Sequence, residues 1–224
     1  VKEYNDNGKL IFEGEYLNRK RNGKGKEYYP YNCILKFEGE YLNGLRNGKG
    51  KEYYDYNDQL IFKGEYLNGK RWNGILYGLK SNENYELKNG DGFIKEYNKY
   101  GELVFEGEYL KGERNGKGKE YFDGKLLEFE GEYLNGERNG KGKEYKYNGK
   151  LEFEGEYLNG KRNGKGKEYY ENGKLKFECE YLYNHKIKGK QYYIDGKLEY
   201  DGEYLYDKKY NGKGYDKNGN IIYE

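Results

Sequence analysis

The chain has 224 residues, of which 36 are glycine and 32 are tyrosine, and 37% of its residues are charged. Its 42 lysines and arginines nearly balance its 40 acidic residues, which disfavours the broad basic surface of a nucleic-acid-binding protein. Glycine costs a helix about 1 kcal/mol relative to alanine, so this composition also disfavours helices. No apolar run approaches the length that spans a bilayer. We expect an intracellular, cytoplasmic protein, with membrane association as an alternative.

One phrase recurs along the chain, F-E-G-E-Y-L followed by R-N-G-K-G-K-E-Y. Its anchor positions are Gly14, Gly39, Gly64, Gly107, Gly131, Gly155, Cys179 and Gly202. Their spacing of 23 to 25 residues, broken by one gap of 43, is typical of a repeat array. The gap contains the second half of the phrase in a degenerate form. We therefore expect one continuous array of about nine units over residues 1–224, with a short unit near 74–97.

The first predicted element is an edge strand within Val1–Leu10, and the last is an edge strand at Ile221–Glu224. Between them lie hairpins of the kind seen at 153–173. There, the alternation of residues 153–158 predicts a first strand, two Asn-Gly pairs at 159–164 predict a loop, and Lys165–Tyr169 predicts a second strand. In the short unit, Leu87–Asp91 predicts a near two-residue turn. Residues 210–224 align with 72–86, after which the earlier copy continues, so we expect the chain to be an excerpt of a longer one.

Hairpins joined by tight turns predict an all-β fold. We expect an elongated antiparallel meander of tandem β-hairpins, which forms a single twisted sheet or an open solenoid-like ribbon. The anchor glycines lie two residues from aromatic side chains, which indicates rings that pack over bare glycine backbone. If Glu154 and Glu156 lie opposite Lys165 and Lys167, each acidic column lies beside a basic one.

The segment F-E-G-E-Y-L-N-G-K-R-N-G-K-G-K-E-Y-Y at 153–170 resembles the MORN repeat almost position for position. The resemblance covers essentially the whole chain, with three departures: tyrosine stands for the usual tryptophan of the first strand, Cys179 takes a glycine position, and the unit around Tyr85 is shortened. Similar arrays occur beside phosphoinositide-kinase domains and at membrane junctions, so the resemblance implies contact with an anionic phospholipid as one function. It equally allows an accessory domain of a larger enzyme or of an antitoxin-like protein.

Few residues suggest catalysis or metal binding. The single histidine, His185, lacks a second histidine or a cysteine pair nearby, and Cys33 and Cys179 lie six units apart, so we expect two free thiols and no metal site. The string Gly160–Lys165 is one residue short of a phosphate loop and lacks its Ser or Thr. Every glutamate recurs in one repeated environment, whereas a catalytic pair needs two different ones. We expect no enzyme, no catalytic residue, no cofactor and no small-molecule substrate.

The sequence predicts a structural or interaction scaffold. Its tyrosine column would bind a protein partner, or would instead be the core; it consists of Tyr16, Tyr41, Tyr66, Tyr109, Tyr133, Tyr157, Tyr181 and Tyr204. The alternative function, membrane lipid recognition, would use Arg21, Arg46, Arg114, Arg138 and Arg162. Glu113 and Glu137 adjoin two of these arginines, and the net charge is only +2. We therefore expect a protein partner, or self-association at the array ends, ahead of lipid, and no nucleic acid.

Overall fold

A computed structural model describes residues 1–55, 58–78 and 83–224. Within these residues it contains 20 β-strands and no helix, which confirms the all-β class and the antiparallel hairpin array. The strands are β1 (Lys2–Tyr4), β2 (Leu10–Leu17), β3 (Lys20–Tyr28), β4 (Leu35–Leu42), β5 (Leu45–Tyr53), β6 (Leu60–Leu67), β7 (Lys70–Tyr77), β8 (Asn84–Leu87), β9 (Gly92–Tyr97), β10 (Leu103–Leu110), β11 (Glu113–Tyr121), β12 (Leu127–Leu134), β13 (Glu137–Tyr145), β14 (Leu151–Leu158), β15 (Lys161–Tyr169), β16 (Leu175–Leu182), β17 (His185–Tyr192), β18 (Leu198–Leu205), β19 (Lys208–Tyr215) and β20 (Ile221–Tyr223). Of the predicted short unit, residues 79–82 lie outside the described residues.

The strands form two antiparallel sheets, β1–β8 and β9–β20, in which neighbours in the sheet are neighbours in the chain. The division falls in the short unit. There β8 has only four residues, and a single bridge between Lys88 and Asp91 closes the turn to β9, which confirms the near two-residue turn. Because this ladder is so short, the strands divide into two open sheets rather than one. The chain forms two compact units, each made of several repeats. We call Val1–Arg114 the first unit and Asn115–Glu224 the second unit.

The hairpin of β14 and β15 turns at one Asn-Gly pair, and its second strand is longer than the sequence predicted. Asn159 and Gly160 have φ angles of 49° and 76°, the left-handed region that a type I′ turn requires. As a result β15 begins at Lys161 rather than at Lys165. The second pair, ending at Gly164 with φ of 94°, forms a bulge where the register between β14 and β15 shifts.

The core is a column of aromatic rings that pack on glycine backbone. Phe153 is fully buried, and its ring makes edge contacts with Tyr157 at 5.6 Å and with Tyr181 at 5.3 Å between centroids. A Cβ atom at Gly166 would lie 2.5 Å from the Phe153 ring, so only glycine leaves room for it. The predicted ring-over-glycine packing is therefore confirmed. It recurs as Phe12 over Gly25, Phe37 over Gly50, Phe62 over Gly74 and Phe129 over Gly142.

Candidate partner-binding face

The predicted tyrosine column lies within this core. Its buried members are Tyr41, Tyr66, Tyr133, Tyr157, Tyr181 and Tyr204, while Tyr16 and Tyr109 are half-buried. The hydroxyl of Tyr41 donates a hydrogen bond to Glu27 at 2.6 Å, and that of Tyr66 donates to Glu52 at 3.1 Å. Of the two interpretations of this column, the burial favours the core, because the rings are covered before any partner arrives.

The predicted lipid-binding arginines belong to a ladder on the ring side of each unit. The guanidinium of Arg46 stacks on Phe37 at 4.1 Å from the ring centroid, and it lies 3.0 Å from Glu27 and 3.2 Å from Glu52. The same stacking holds Arg21 on Phe12, Arg114 on Phe105, Arg138 on Phe129 and Arg162 on Phe153. Each of these cations is thus engaged by an aromatic ring inside the chain, and Arg46 is also held between two carboxylates.

The arginines of the ladder lower the pKa of the carboxylates Glu27 and Glu52. Burial by itself would raise the pKa of Glu52, but the charges and hydrogen bonds of Arg71 and Arg46 hold that pKa below its ordinary value of 4.5. The pKa of Glu27 is lowered in the same way, with Arg46 outweighing the effect of burial. Glu27 and Glu52 are therefore held as carboxylates beside the arginines that neutralise them.

The opposite side of the sheets, which we call the open face, carries rows of lysine and acidic residues. In the second unit one row alternates strand by strand through Lys119, Glu130, Lys143, Glu154, Lys167, Glu178, Lys190, Asp201 and Lys213. Glu154 lies between Lys143 and Lys167, so its predicted pairing with Lys167 is confirmed. Glu156 differs from the prediction, because the bulge lets its carboxylate accept a hydrogen bond from the backbone amide of Lys165 at 3.3 Å.

In the first unit the corresponding row departs from alternation. It runs through Lys2, Glu13, Lys26, Glu38, Lys51, Lys63 and Ile75. Lys63 stands where the other repeats have an acidic residue, so Lys51 and Lys63 oppose each other directly. Lys51 lies 3.0 Å from Glu38, whereas Lys63 is exposed and has no ion-pair partner among the described residues. The first unit therefore carries a local excess of positive charge on this face.

A groove of about 1130 Å³ lies on the open face of the first unit, across β1–β7. Its floor is glycine backbone, from Gly14, Gly25, Gly39, Gly50, Gly64 and Gly74. The row just described lies along one side, and Lys24, Glu40, Lys49 and Glu65 lie along the other. Ile75 and Tyr77 line the end at β7. Because the aromatic rings pack on the other side of these glycines, one layer of backbone separates the core from the groove.

Sequence reasoning missed a row of leucines at the hairpin ends. These are Leu17, Leu42, Leu67 and Leu110 in the first unit and Leu134, Leu158, Leu182 and Leu205 in the second, and they are 37% to 58% exposed. The signal was present in the phrase E-G-E-Y-L. Because side chains alternate along a strand, the leucine shares the side of the two glutamates and not that of the tyrosine. The open face is therefore charged and apolar together.

The other candidates of the sequence analysis are the histidine, the two cysteines and the loop at 160–165. His185 is exposed, with its Nδ1 atom 2.7 Å from Asp207 Oδ2. Cys33 is exposed, Cys179 is buried, and both are free thiols; burial raises the pKa of the Cys179 thiol to about 12. Gly160–Lys165 forms the turn and the bulge of a hairpin. The described residues contain no cluster of three or more metal-ligating side chains, and no helix among them is long and apolar enough to cross a membrane.

Comparison with known proteins identifies the repeated units. The family model described as MORN repeat matches residues 12–30, 37–57, 105–125, 129–150 and 153–174. No curated protein matches the chain. Among matching chains of solved structures, one in the "Crystal Structure of TcdB2-TccC3-Cdc42" is 12% identical, with a TM-score of 0.18, over 89% of this chain and 12% of that chain.

Proposed function

The chain is a MORN-repeat protein, and from this premise we propose that it is a non-enzymatic scaffold that binds a protein partner on its open face. MORN repeats are typically modules that bind protein or lipid. The observation that carries the proposal is the contrast between the two sides of the sheets. The rings and the arginines pack into one side, which leaves the charged rows, the leucines and the groove on the other.

The make-up of the open face favours protein over lipid. Protein interfaces combine apolar side chains with a polar rim, and exposed Leu42 and Leu67 lie beside charged rows of this kind. An anionic leaflet attracts lysines but repels the glutamates that alternate with them. The arginines that lipid binding would use are stacked in the ladder, where Arg46 lies 3.0 Å from a carboxylate.

The repetition supports the non-enzymatic part of this proposal. Acid–base catalysis by two carboxylates requires different environments that separate their pKa values. On the regular row, Glu130, Glu154 and Glu178 each lie between two lysines. As an accessory module of a larger enzyme or of an antitoxin-like protein, the chain would use the same face for the same chemistry.

Selection of peptides from a random display library on the folded chain tests the proposal. Selected peptides are then titrated by calorimetry against the chain and two variants. Lys51→Trp fills the groove, and Lys217→Trp places the same side chain in an exposed turn of the second unit. We expect the first variant to weaken binding about tenfold and the second less than twofold, because only the first obstructs the open face.

Three results would contradict the proposal. The first is a library that yields no binding peptide. The second is that both tryptophan variants bind the peptides as the unmodified chain does, while circular dichroism shows that both are folded. The third is strong co-sedimentation at physiological salt with phosphoinositide vesicles and none with phosphatidylcholine vesicles, unaffected by Lys51→Trp. That result would assign the main binding to lipid.

A further inference from the structure

We propose that the groove across β1–β7 selects an acidic, extended protein segment and holds one of its carboxylates between Lys51 and Lys63. This inference rests on the proposed function and adds the chemistry of the partner. Four features of the groove carry it: its length, the charge of its lining, the opposed lysines and the apolar residues at its end.

The groove has the dimensions of a chain segment. It crosses seven strands, which at about 4.8 Å between neighbours gives a length of about 29 Å. Its volume of about 1130 Å³ exceeds the roughly 300–1,000 Å³ of most small-molecule sites. About nine extended residues, at roughly 3.3 Å each, match that length.

The lining of the groove favours negative charge. It contains six lysines and four glutamates, a surplus of two positive charges: Lys2, Lys24, Lys26, Lys49, Lys51 and Lys63 against Glu13, Glu38, Glu40 and Glu65. Complementary charge accelerates encounter and disfavours partners of the wrong sign. An acidic segment is therefore attracted, and a basic one meets the surplus lysines.

The surplus is greatest where Lys63 lies directly opposite Lys51, and like charges in that position are destabilising. In the second unit the equivalent position holds Glu154, between Lys143 and Lys167. A partner carboxylate between Lys51 and Lys63 would supply the negative charge that Glu154 supplies in the second unit. Its binding would remove a repulsion and add two ion pairs.

Apolar residues next to Lys63 indicate which side chain the bound segment carries beside its carboxylate. Ile75 is the Cα partner of Lys63 and is 40% exposed, and the half-buried Tyr77 lies on the same strand. An apolar side chain next to the acidic residue of the segment would cover Ile75. The groove thus fits an acidic residue with an apolar neighbour.

Fluorescence anisotropy with three labelled nonapeptides tests this specificity. The first carries several glutamates and one leucine on a serine–glycine background, the second has glutamine for each glutamate, and the third has lysine. Each is titrated into the unmodified chain, Lys63→Glu and Lys217→Glu. The first variant restores the F-E-G-E-Y-L phrase of other units and is expected to fold, whereas the second makes the same charge change outside the groove.

We expect the unmodified chain to bind the glutamate peptide about tenfold more tightly than the glutamine peptide, and the lysine peptide least. Lys63→Glu should weaken the glutamate peptide about tenfold and leave the glutamine peptide unchanged, and Lys217→Glu should change neither by more than about twofold. Equal binding of glutamate and glutamine peptides, both weakened by Lys51→Trp, would overturn this inference and leave the proposed function standing. Equal losses in Lys63→Glu and Lys217→Glu would overturn it too, because only net charge would then matter. Failure of every peptide to bind through the groove would overturn both proposals.

Discussion

In the second unit Glu154 stands between Lys143 and Lys167, whereas in the first unit Lys63 occupies the equivalent position, between Lys51 and Ile75. The ring-over-glycine packing beneath is alike at both places, although the register shifts between Glu65 and Tyr66 in the first hairpin and between Gly155 and Tyr157 in the second. A Cβ atom at the anchor glycine beside each would lie 2.7 Å from the Phe62 ring in the first unit and 2.6 Å from the Phe153 ring in the second. The two faces of a strand are therefore specified separately. The ring side determines the fold, and the open face can change its charges without changing the fold.

Alkaline pH should break a tyrosine–glutamate hydrogen bond that both units contain. The pKa values of Tyr28, Tyr53 and Tyr145 are raised to about 12 by burial first, and then by a hydrogen bond to a glutamate of the open face. A tyrosine with a raised pKa contributes to the stability of the folded state. That contribution is complete below the unfolded-state pKa of about 10 and is lost as the pH rises through 12. We expect the whole array to unfold between pH 10 and 12, with tyrosinate absorbance and circular dichroism changing together. Tyrosinate formation near pH 10 with the strand signal intact would contradict this.

Filling the glycine layer should damage both units equally. A Cβ atom at Gly50 would lie 2.6 Å from Phe37, and one at Gly142 would lie 2.4 Å from Phe129. Gly50→Val and Gly142→Val should each lower the free energy of unfolding by about 3 kcal/mol, measured by urea denaturation. The control is Gly173→Asn, at a turn with φ of 79° and open space around it, which should have little effect. A loss confined to one of the two valine variants would show that the units are not built alike.

Exchanging charges should have a smaller effect, of opposite sign in the two units. Glu154→Lys removes the acidic residue between Lys143 and Lys167, so we expect a loss of about 1–2 kcal/mol in the free energy of unfolding. Lys63→Glu restores alternation beside Lys51 and should add about 0.5–1 kcal/mol. Equilibrium denaturation in low and high salt tests both, because salt should shrink both changes. Destabilisation by Lys63→Glu would show that the lysine pair does not cost stability.

The sequence predicts the strands and their faces well because the phrase is periodic. Alternation along 153–158 places the rings on one side, and the repeat requires Glu154 to meet a lysine. Three features could not be predicted from the sequence, because they depend on how neighbouring strands are aligned. The bulge at Gly164 lengthens β15, Arg46 reaches Glu27 of the preceding unit, and the burial of Tyr157 leaves the opposite side as the open face.

Residues that depart from the repeated phrase show where one repeat differs from the others, which the phrase itself cannot show. Lys63 stands at a glutamate position of the repeat, and this is visible in the sequence. Its consequence was not visible, because a lysine opposite a lysine matters only once β5 and β6 are aligned residue by residue. The repeat therefore predicts what the units share, and the exceptions indicate where binding specificity lies.

The smallest expected effect concerns two tyrosines in equivalent positions. The hydroxyl of Tyr53 donates a hydrogen bond to Glu38 at 2.9 Å, whereas Tyr77 lies at the same place in a unit where Lys63 replaces the glutamate. Tyr53→Phe should cost about 1 kcal/mol of the free energy of unfolding, and Tyr77→Phe should cost almost nothing. In the Lys63→Glu background the new carboxylate offers an acceptor, so Tyr77→Phe should then cost about 1 kcal/mol as well. The double-mutant cycle of Lys63→Glu and Tyr77→Phe measures this coupling directly, by urea denaturation of the four proteins. A coupling energy near zero would mean that Tyr77 does not reach the position that Tyr53 reaches, and that these two neighbouring repeats differ in more than charge.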